Sequence, residues 1–186
     1  MPGVTVPYEA FPGSIGVMPG NPEVDKILKR EAGLAGAGGA VLMPSGPGAL
    51  PADLCGEGGT AEDRCLRTIP PRENGGNMDV QQQQIGTRML FPCFIDGCGL
   101  FVGDVHYAQG DGEVSGTAIE MGSVTTLRVV KIHEGKGSRM SMPATKGNDQ
   151  IIDMEPARYY QTVGIPLKAA GELPPTHQYL TGTKIE

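Results

Sequence analysis

The chain has 186 residues, among them 29 glycines and 16 prolines, with 5% aromatic residues and no tryptophan. That length buries the core of one domain or slightly more, and Gly plus Pro at about a quarter of the chain demands extensive loop. A formal charge of -6 without clustered Lys and Arg excludes nucleic acid as a partner class. With no apolar run of 18 residues and no basic-then-apolar start, neither membrane insertion nor secretion is signalled, and a cytoplasmic location is expected.

The first twenty residues carry prolines at 2, 7, 12 and 19, which precludes a regular helix and predicts extended chain and turns. Asn21-Pro22-Glu23 then opens a helix: Asn caps, Pro occupies the first helical position and Glu sits in the first turn. Val24, Ile27 and Leu28 share its face, and Gly33 is the expected stop. Residues 33–59 are rich in Gly, Ala and Pro and read as a flexible loop or insertion. Thr60 and Asp63 fit a capping box for a second short helix ending before Pro70-Pro71.

From 86 onwards the composition turns to strands. Gly86–Ile95, Gly99–Val102, Val114–Ile119 and Val124–Ile132 are β-branched or aromatic runs, with Asp96-Gly97 as a hairpin turn. Residues 151–165 and 177–181 supply further short strands. The expected fold is mainly β, a barrel or sandwich with two short helices and long Gly/Pro-rich loops. Cys55, Cys65, Cys93 and Cys98 fit no zinc-finger spacing, and in a cytoplasmic protein they read as reduced and mostly buried.

Two polar, Gly-rich segments interrupt this pattern. Arg72-Glu73-Asn74-Gly75-Gly76-Asn77-Met78-Asp79 is one. The other, Gly103-Asp104-Val105-His106-Tyr107-Ala108-Gln109-Gly110-Asp111-Gly112-Glu113, packs carboxylates, an imidazole and a carboxamide into eleven residues. Glycines supply no side chain to bury and cost entropy on ordering, so such segments exist to place polar atoms. Neither matches a phosphate-binding P-loop.

Together the segments resemble the acetamidase/formamidase family, in which Arg-Glu-x-Gly-Gly-Asn-x-Asp is followed by Gly-Asp-x-His-x-x-Gln-Gly-Asp-Gly-Glu. The likeness begins at Pro2-Gly3-Val4 and Phe11-Pro-Gly-Ser-Ile-Gly16, continues through Thr68-Ile-Pro-Pro-Arg72, and reaches Gly116-Thr-Ala-Ile-Glu120. It implies a β-rich catalytic domain over 1–186 that cleaves a short aliphatic amide such as formamide or acetamide to carboxylate and ammonia. Cyclic amides are the alternative substrate. Against the family pattern, an N-terminal β domain and a C-terminal helical segment are expected to be missing, as in a fragment, a split subunit or a truncated gene product. The expected partner is therefore a second chain supplying that domain, or a further copy in a homo-oligomer; a non-catalytic subunit is the competing reading.

Amide hydrolysis needs an activated nucleophile, donors for the oxyanion and an acid for the leaving ammonia. Glu113 is the first candidate for acid/base work. Asp104 and His106 lie two apart, on one side of an extended segment, and Asp79 is a plausible third member. The three read either as an oriented acid/base group or as ligands of a divalent metal, zinc before others, with no organic cofactor. Asn77, Gln109, Gly76 and Gly110 are the candidates for holding substrate, with a bridge between the two segments as the plainer role for Asn77 or Gln109. Arg72 and Glu73 read as structural, and His133 and His177 as satisfied or exposed histidines.

Overall fold

In the computed structural model, residues 3–36, 51–113, 116–130, 143–146 and 160–162 are described. The chain divides into two units, Met1–Met18 with Pro70–Val163, and Pro19–Ile69 with Gly164–Glu186.

The first unit is antiparallel sheet. Its strands are β1 (Phe11–Gly16), β2 (Gly75–Asn77), β3 (Arg88–Leu90), β4 (Phe101–Ala108), β5 (Ile119–Glu120), β6 (Ala144–Lys146) and β7 (Tyr160–Thr162). One sheet has the order β2-β1-β4-β5 and the other β3-β6-β7. The mainly β expectation holds, as two antiparallel sheets with two helices.

β1 is the axis of the first sheet, pairing with β2 through Ser14↔Asn77 and with β4 through Phe11↔His106 and Ser14↔Gly103. Phe11 and Ile15 alternate inward along it and are buried with Ala10, Val17 and Ala108. Burying the Phe11 ring contributes roughly 1.5–3 kcal/mol. The Arg72-to-Asp79 segment folds around the end of β1. Arg72 and Gly75 exchange both backbone hydrogen bonds at 2.9 Å, and Asn74 Nδ2 donates to the Val17 carbonyl at 2.8 Å. Gly75 and Gly76 stand at φ 87° and 111°, a region where a side chain is strained, so the Gly-Gly pair is required by this turn.

The second unit holds α1 (Asn21–Gly36) and α2 (Ala52–Cys55), with a 3₁₀ turn at Glu62–Arg64. α1 starts as expected but runs through Gly33 to Gly36. The Gly costs about 1 kcal/mol in a helix interior, and its Ala neighbours at 32 and 35 offset part of that. Its inner face carries Ile27 and, one turn on, buried Glu31, whose carboxylate meets the Arg67 guanidinium at 3.2 Å. The second helix differs from expectation: Thr60 and Asp63 lead only into the 3₁₀ turn, and the α-helical turn lies at 52–55 inside the proposed 33–59 loop. Of that loop, 37–50 lie outside the described residues.

Three further readings are corrected. Asp96-Gly97 does form a turn, but no hairpin joins its flanks: β3 pairs with β6, whereas β4 pairs with β1 and β5. Local turn chemistry marks a reversal without specifying which strands pair. Of the run at 124–132, residues up to 130 form no strand, and the rest lies outside the described residues, as do the runs at 177–181 and most of 151–165. The cysteines are all paired, Cys55 with Cys65 and Cys93 with Cys98, at Cα separations of 5.6 and 4.8 Å. Each pair is brought together by a short reversal, for Cys98 by its N–H donating to the Ile95 carbonyl at 3.0 Å.

Candidate functional site

The polar segment at 103–113 is a strand for most of its length. β4 runs from Phe101 to Ala108 and carries both Asp104 and His106, which meet at 3.5 Å although Asp104, at φ 53°, departs from regular strand alternation. His106 lies between β1 and β5, in register with Phe11 on one side and Glu120 on the other. Its ring meets the buried Phe11 ring edge-on at 5.0 Å and is 0% exposed.

Three carboxylates converge on the His106 Nε2 atom. Glu120 Oε2 lies at 3.3 Å, Asp104 Oδ1 at 3.5 Å and Asp79 Oδ1 at 3.7 Å. Despite these distances, Nε2 and Asp79 Oδ1 are buried without a hydrogen-bond partner. The acceptors surround the nitrogen without lying along a bond direction, an arrangement suited to a shared positive charge. Glu120 is oriented from behind, its other oxygen accepting from the Ala118 N–H at 3.1 Å and the Thr117 hydroxyl at 3.3 Å.

Gly13 makes the space in front of these atoms. A Cβ built there would stand 2.7 Å from both Asp79 Oδ1 and His106 Nε2, and 2.8 Å from the Asp104 carbonyl. The Gly13 carbonyl meanwhile accepts the N–H groups of Met78 and Asp79 at 3.0 and 3.1 Å, so the same residue holds the Asp79 loop to β1.

Asp79, Asp104 and Glu113 all adopt left-handed φ values of 50°, 53° and 43°. Non-Gly residues in that region cost of order 1–3 kcal/mol each and persist where the surroundings enforce them, which is typical of functional loops. Glu113 ends the 3₁₀ turn Asp111–Glu113 and hydrogen-bonds the Asp79 carboxyl. Burial, then the charge of Glu113 and that hydrogen bond, push the Asp79 carboxyl up to about 7, partly offset by His106.

Asp79, Asp104 and His106 present ligand atoms within 4.8 Å of one another, as do His106, Glu113 and Glu120. A tetrahedral ion with bonds of about 2.1 Å has ligand–ligand edges of about 3.4 Å. The 3.3–3.7 Å separations around Nε2 match that edge. The donor set, a neutral-capable imidazole with carboxylates, suits zinc.

The other expected residues fall at two places. Gln109 joins the cluster, its Oε1 2.8 Å from His106 Nδ1 and its Nε2 donating to the Asp79 carbonyl at 2.8 Å. Gly76 and Asn77 lie in the β1–β2 pairing, where Asn77 Oδ1 accepts from the Ser14 hydroxyl at 3.0 Å. Gly110 follows β4, and its carbonyl accepts the Glu113 N–H at 3.3 Å. Sequence reasoning gave no role to Gly13 or Glu120. Gly13 has no side chain to signal chemistry, and Glu120 reaches the site only through the β4–β5 pairing; both nevertheless lie in stretches that carry the family resemblance. An open depression of about 420 Å³ beside the cluster is lined by Asp104, Val105, Glu120, Met121 and Gly122.

The antiparallel sheet thus presents a buried histidine to three carboxylates at one polar centre. The chain belongs to the acetamidase/formamidase family, whose model matches residues 1–180. It is 37% identical to an acetamidase from Mycolicibacterium smegmatis over 145 residues, 73% of this chain and 35% of that protein. A formamidase from Methylophilus methylotrophus is 34% identical over 131 residues, 67% of this chain and 32% of its own. A gamma lactamase from Delftia acidovorans shares the fold with a TM-score of 0.57 and 38% identity, over 64% of this chain and 31% of that one. The chain thus spans about a third of the length of these relatives. Among the described residues no helix is long and apolar enough to cross a membrane.

Proposed function

We propose that the protein hydrolyses a short aliphatic amide to carboxylate and ammonia at the Asp79–Asp104–His106–Glu113–Glu120 cluster. The observation that carries the reading is His106 Nε2, fully buried, without a hydrogen bond, and facing three carboxylates. Asp79, Asp104 and His106, whose ligand atoms lie within 4.8 Å of one another, would hold a divalent cation, zinc by its donor set. Such a cation supplies Lewis acidity and lowers the pKa of a water towards neutrality.

The chain's own groups account for the proton traffic. Glu113, outside that ligand set and beside the Asp79 carboxyl, is the group proposed to take a proton from the attacking water and return one to the departing amine. Backbone N–H groups at Gly76 and Gly110 and the Asn77 amide are the proposed donors to the substrate carbonyl. Val105 and Met121 give the depression beside Asp104 an apolar wall, which suits the methyl of acetamide.

The fold relative named a gamma lactamase favours a second reading, a cyclic amide opened by the same groups. Assaying ammonia release from formamide and acetamide alongside ring opening of a γ-lactam decides between them. Loss of ammonia release in Glu113→Gln with the fold intact supports the mechanism; full activity in that variant removes Glu113 from it.

The chain spans about a third of its relatives' length, and the active form is proposed to be an assembly, either a homo-oligomer or a complex with a further chain. Val124, Val129, Val130 and Ile85 are 97%, 77%, 70% and 70% exposed, and apolar surface of this kind marks contact sites. A cytoplasmic site of action is part of the proposal and makes a chemical demand, since that compartment keeps thiols reduced.

A further inference from the structure

We propose that Gln109 is a positioning residue that fixes the tautomer of His106 and locks it to the Asp79 loop. The argument begins with an atom of fixed polarity. The Asp79 backbone carbonyl only accepts hydrogen bonds, so the Gln109 atom 2.8 Å from it is the NH₂ group. The opposite atom of that carboxamide is then the oxygen, which also only accepts, and it lies 2.8 Å from His106 Nδ1. His106 Nδ1 must therefore carry a hydrogen, and the neutral ring presents a lone pair at Nε2 to the carboxylate cluster.

That orientation is what a ligand or proton acceptor at Nε2 needs, and hydrogen bonding at the far nitrogen is the usual way of setting it. Gln109 does a second task with the same group. Asp79 is held at φ 50° by two hydrogen bonds, its N–H to the Gly13 carbonyl and its carbonyl from Gln109. One carboxamide thus couples the strand bearing His106 to the loop bearing Asp79. Both ends of the carboxamide are engaged within the protein, and its effect on the reaction passes through His106 and Asp79.

The two tasks separate chemically. In Gln109→Glu the carboxylate still accepts from His106 Nδ1 but cannot donate to the Asp79 carbonyl, whereas Gln109→Leu loses both bonds. The test is long-range ¹H–¹⁵N NMR of the metal-free chain with ¹⁵N-labelled histidine. Only His106, His133 and His177 contribute, and His106→Gln assigns the signal. The expected wild-type result is an Nδ1–H tautomer for His106, kept in Gln109→Glu and lost to a mixture in Gln109→Leu. Zinc affinity, measured by competition with a chelator, should fall about 10- to 100-fold in Gln109→Leu. An Nε2–H tautomer in the wild type, or loss of the Nδ1–H form in Gln109→Glu, overturns the proposal. So does a folded Gln109→Leu that keeps the tautomer. The zinc measurement rests on the metal reading of the site while the tautomer measurement does not, so failure of the first alone strikes the metal and failure of the second strikes Gln109.

Discussion

The carbonyl of Gly13 accepts the N–H of Asp79 at 3.1 Å, while the side chain Gly13 lacks leaves open the space before the Asp79 carboxylate. One residue on β1 therefore both anchors the loop and vacates the centre. Gly13→Ala would press a methyl to 2.7 Å from Asp79 Oδ1 and His106 Nε2, both deeply placed. Overpacking of this kind costs roughly 1–3 kcal/mol. The expected variant melts lower and loses most of its zinc by elemental analysis; wild-type stability with one zinc retained would contradict the cradle.

The Asp79 carboxyl gives stability a definite pH slope. Its folded value of about 7 lies above the 3.8 of an ordinary aspartate, so between these the folded state binds more protons than the unfolded one. Stability contributed by Asp79 accordingly falls as pH rises through that window, and the full penalty is present above about pH 7. Urea unfolding of metal-free protein at pH 5 and pH 8 should show Asp79→Asn gaining on the wild type at the higher pH. The reverse trend would mean that the carboxyl is not raised.

In the helical unit, Glu31 and Arg67 are 8% and 7% exposed, whereas Asp25 and Arg64 pair at the surface. Removing one partner of a buried pair leaves a charge without compensation and costs about 3–5 kcal/mol. An exposed pair is worth about 0–1 kcal/mol. Glu31→Gln should lower the melting temperature clearly more than Asp25→Asn does, a ranking that thermal melts of the two variants check.

Bridged cysteines predict a simple count. The native protein should resist alkylation until reduced and then take up four labels, at Cys55, Cys65, Cys93 and Cys98. Four labels without reductant, read by intact mass, would restore the thiols that a cytoplasmic location favours.

How much of this was legible beforehand depends on whether the information was local. The start of α1 follows from Asn21, Pro22 and the spacing of Val24, Ile27 and Leu28, all within two turns. That Asp104 and His106 meet was legible from their spacing of two, although the left-handed turn of the backbone at Asp104 was not. Pairing partners are not local: nothing near Asp96-Gly97 shows that β3 joins β6 while β4 joins β1. For the same reason Glu120 could not be assigned to His106 from sequence, since a register between distant strands brings them together. Gly33 misled because a glycine in a helix costs little when strong helix formers flank it.

The central claim, amide hydrolysis at the His106 centre, is tested most directly by one assay on the native assembly with any co-purifying chain. Ammonia release from formamide and acetamide should be present in the wild type and fall at least about 100-fold in His106→Ala, a loss of the size that one group essential to the transition state supplies. Undiminished release by folded His106→Ala, or no release from either amide by the zinc-loaded wild-type assembly, would contradict the account.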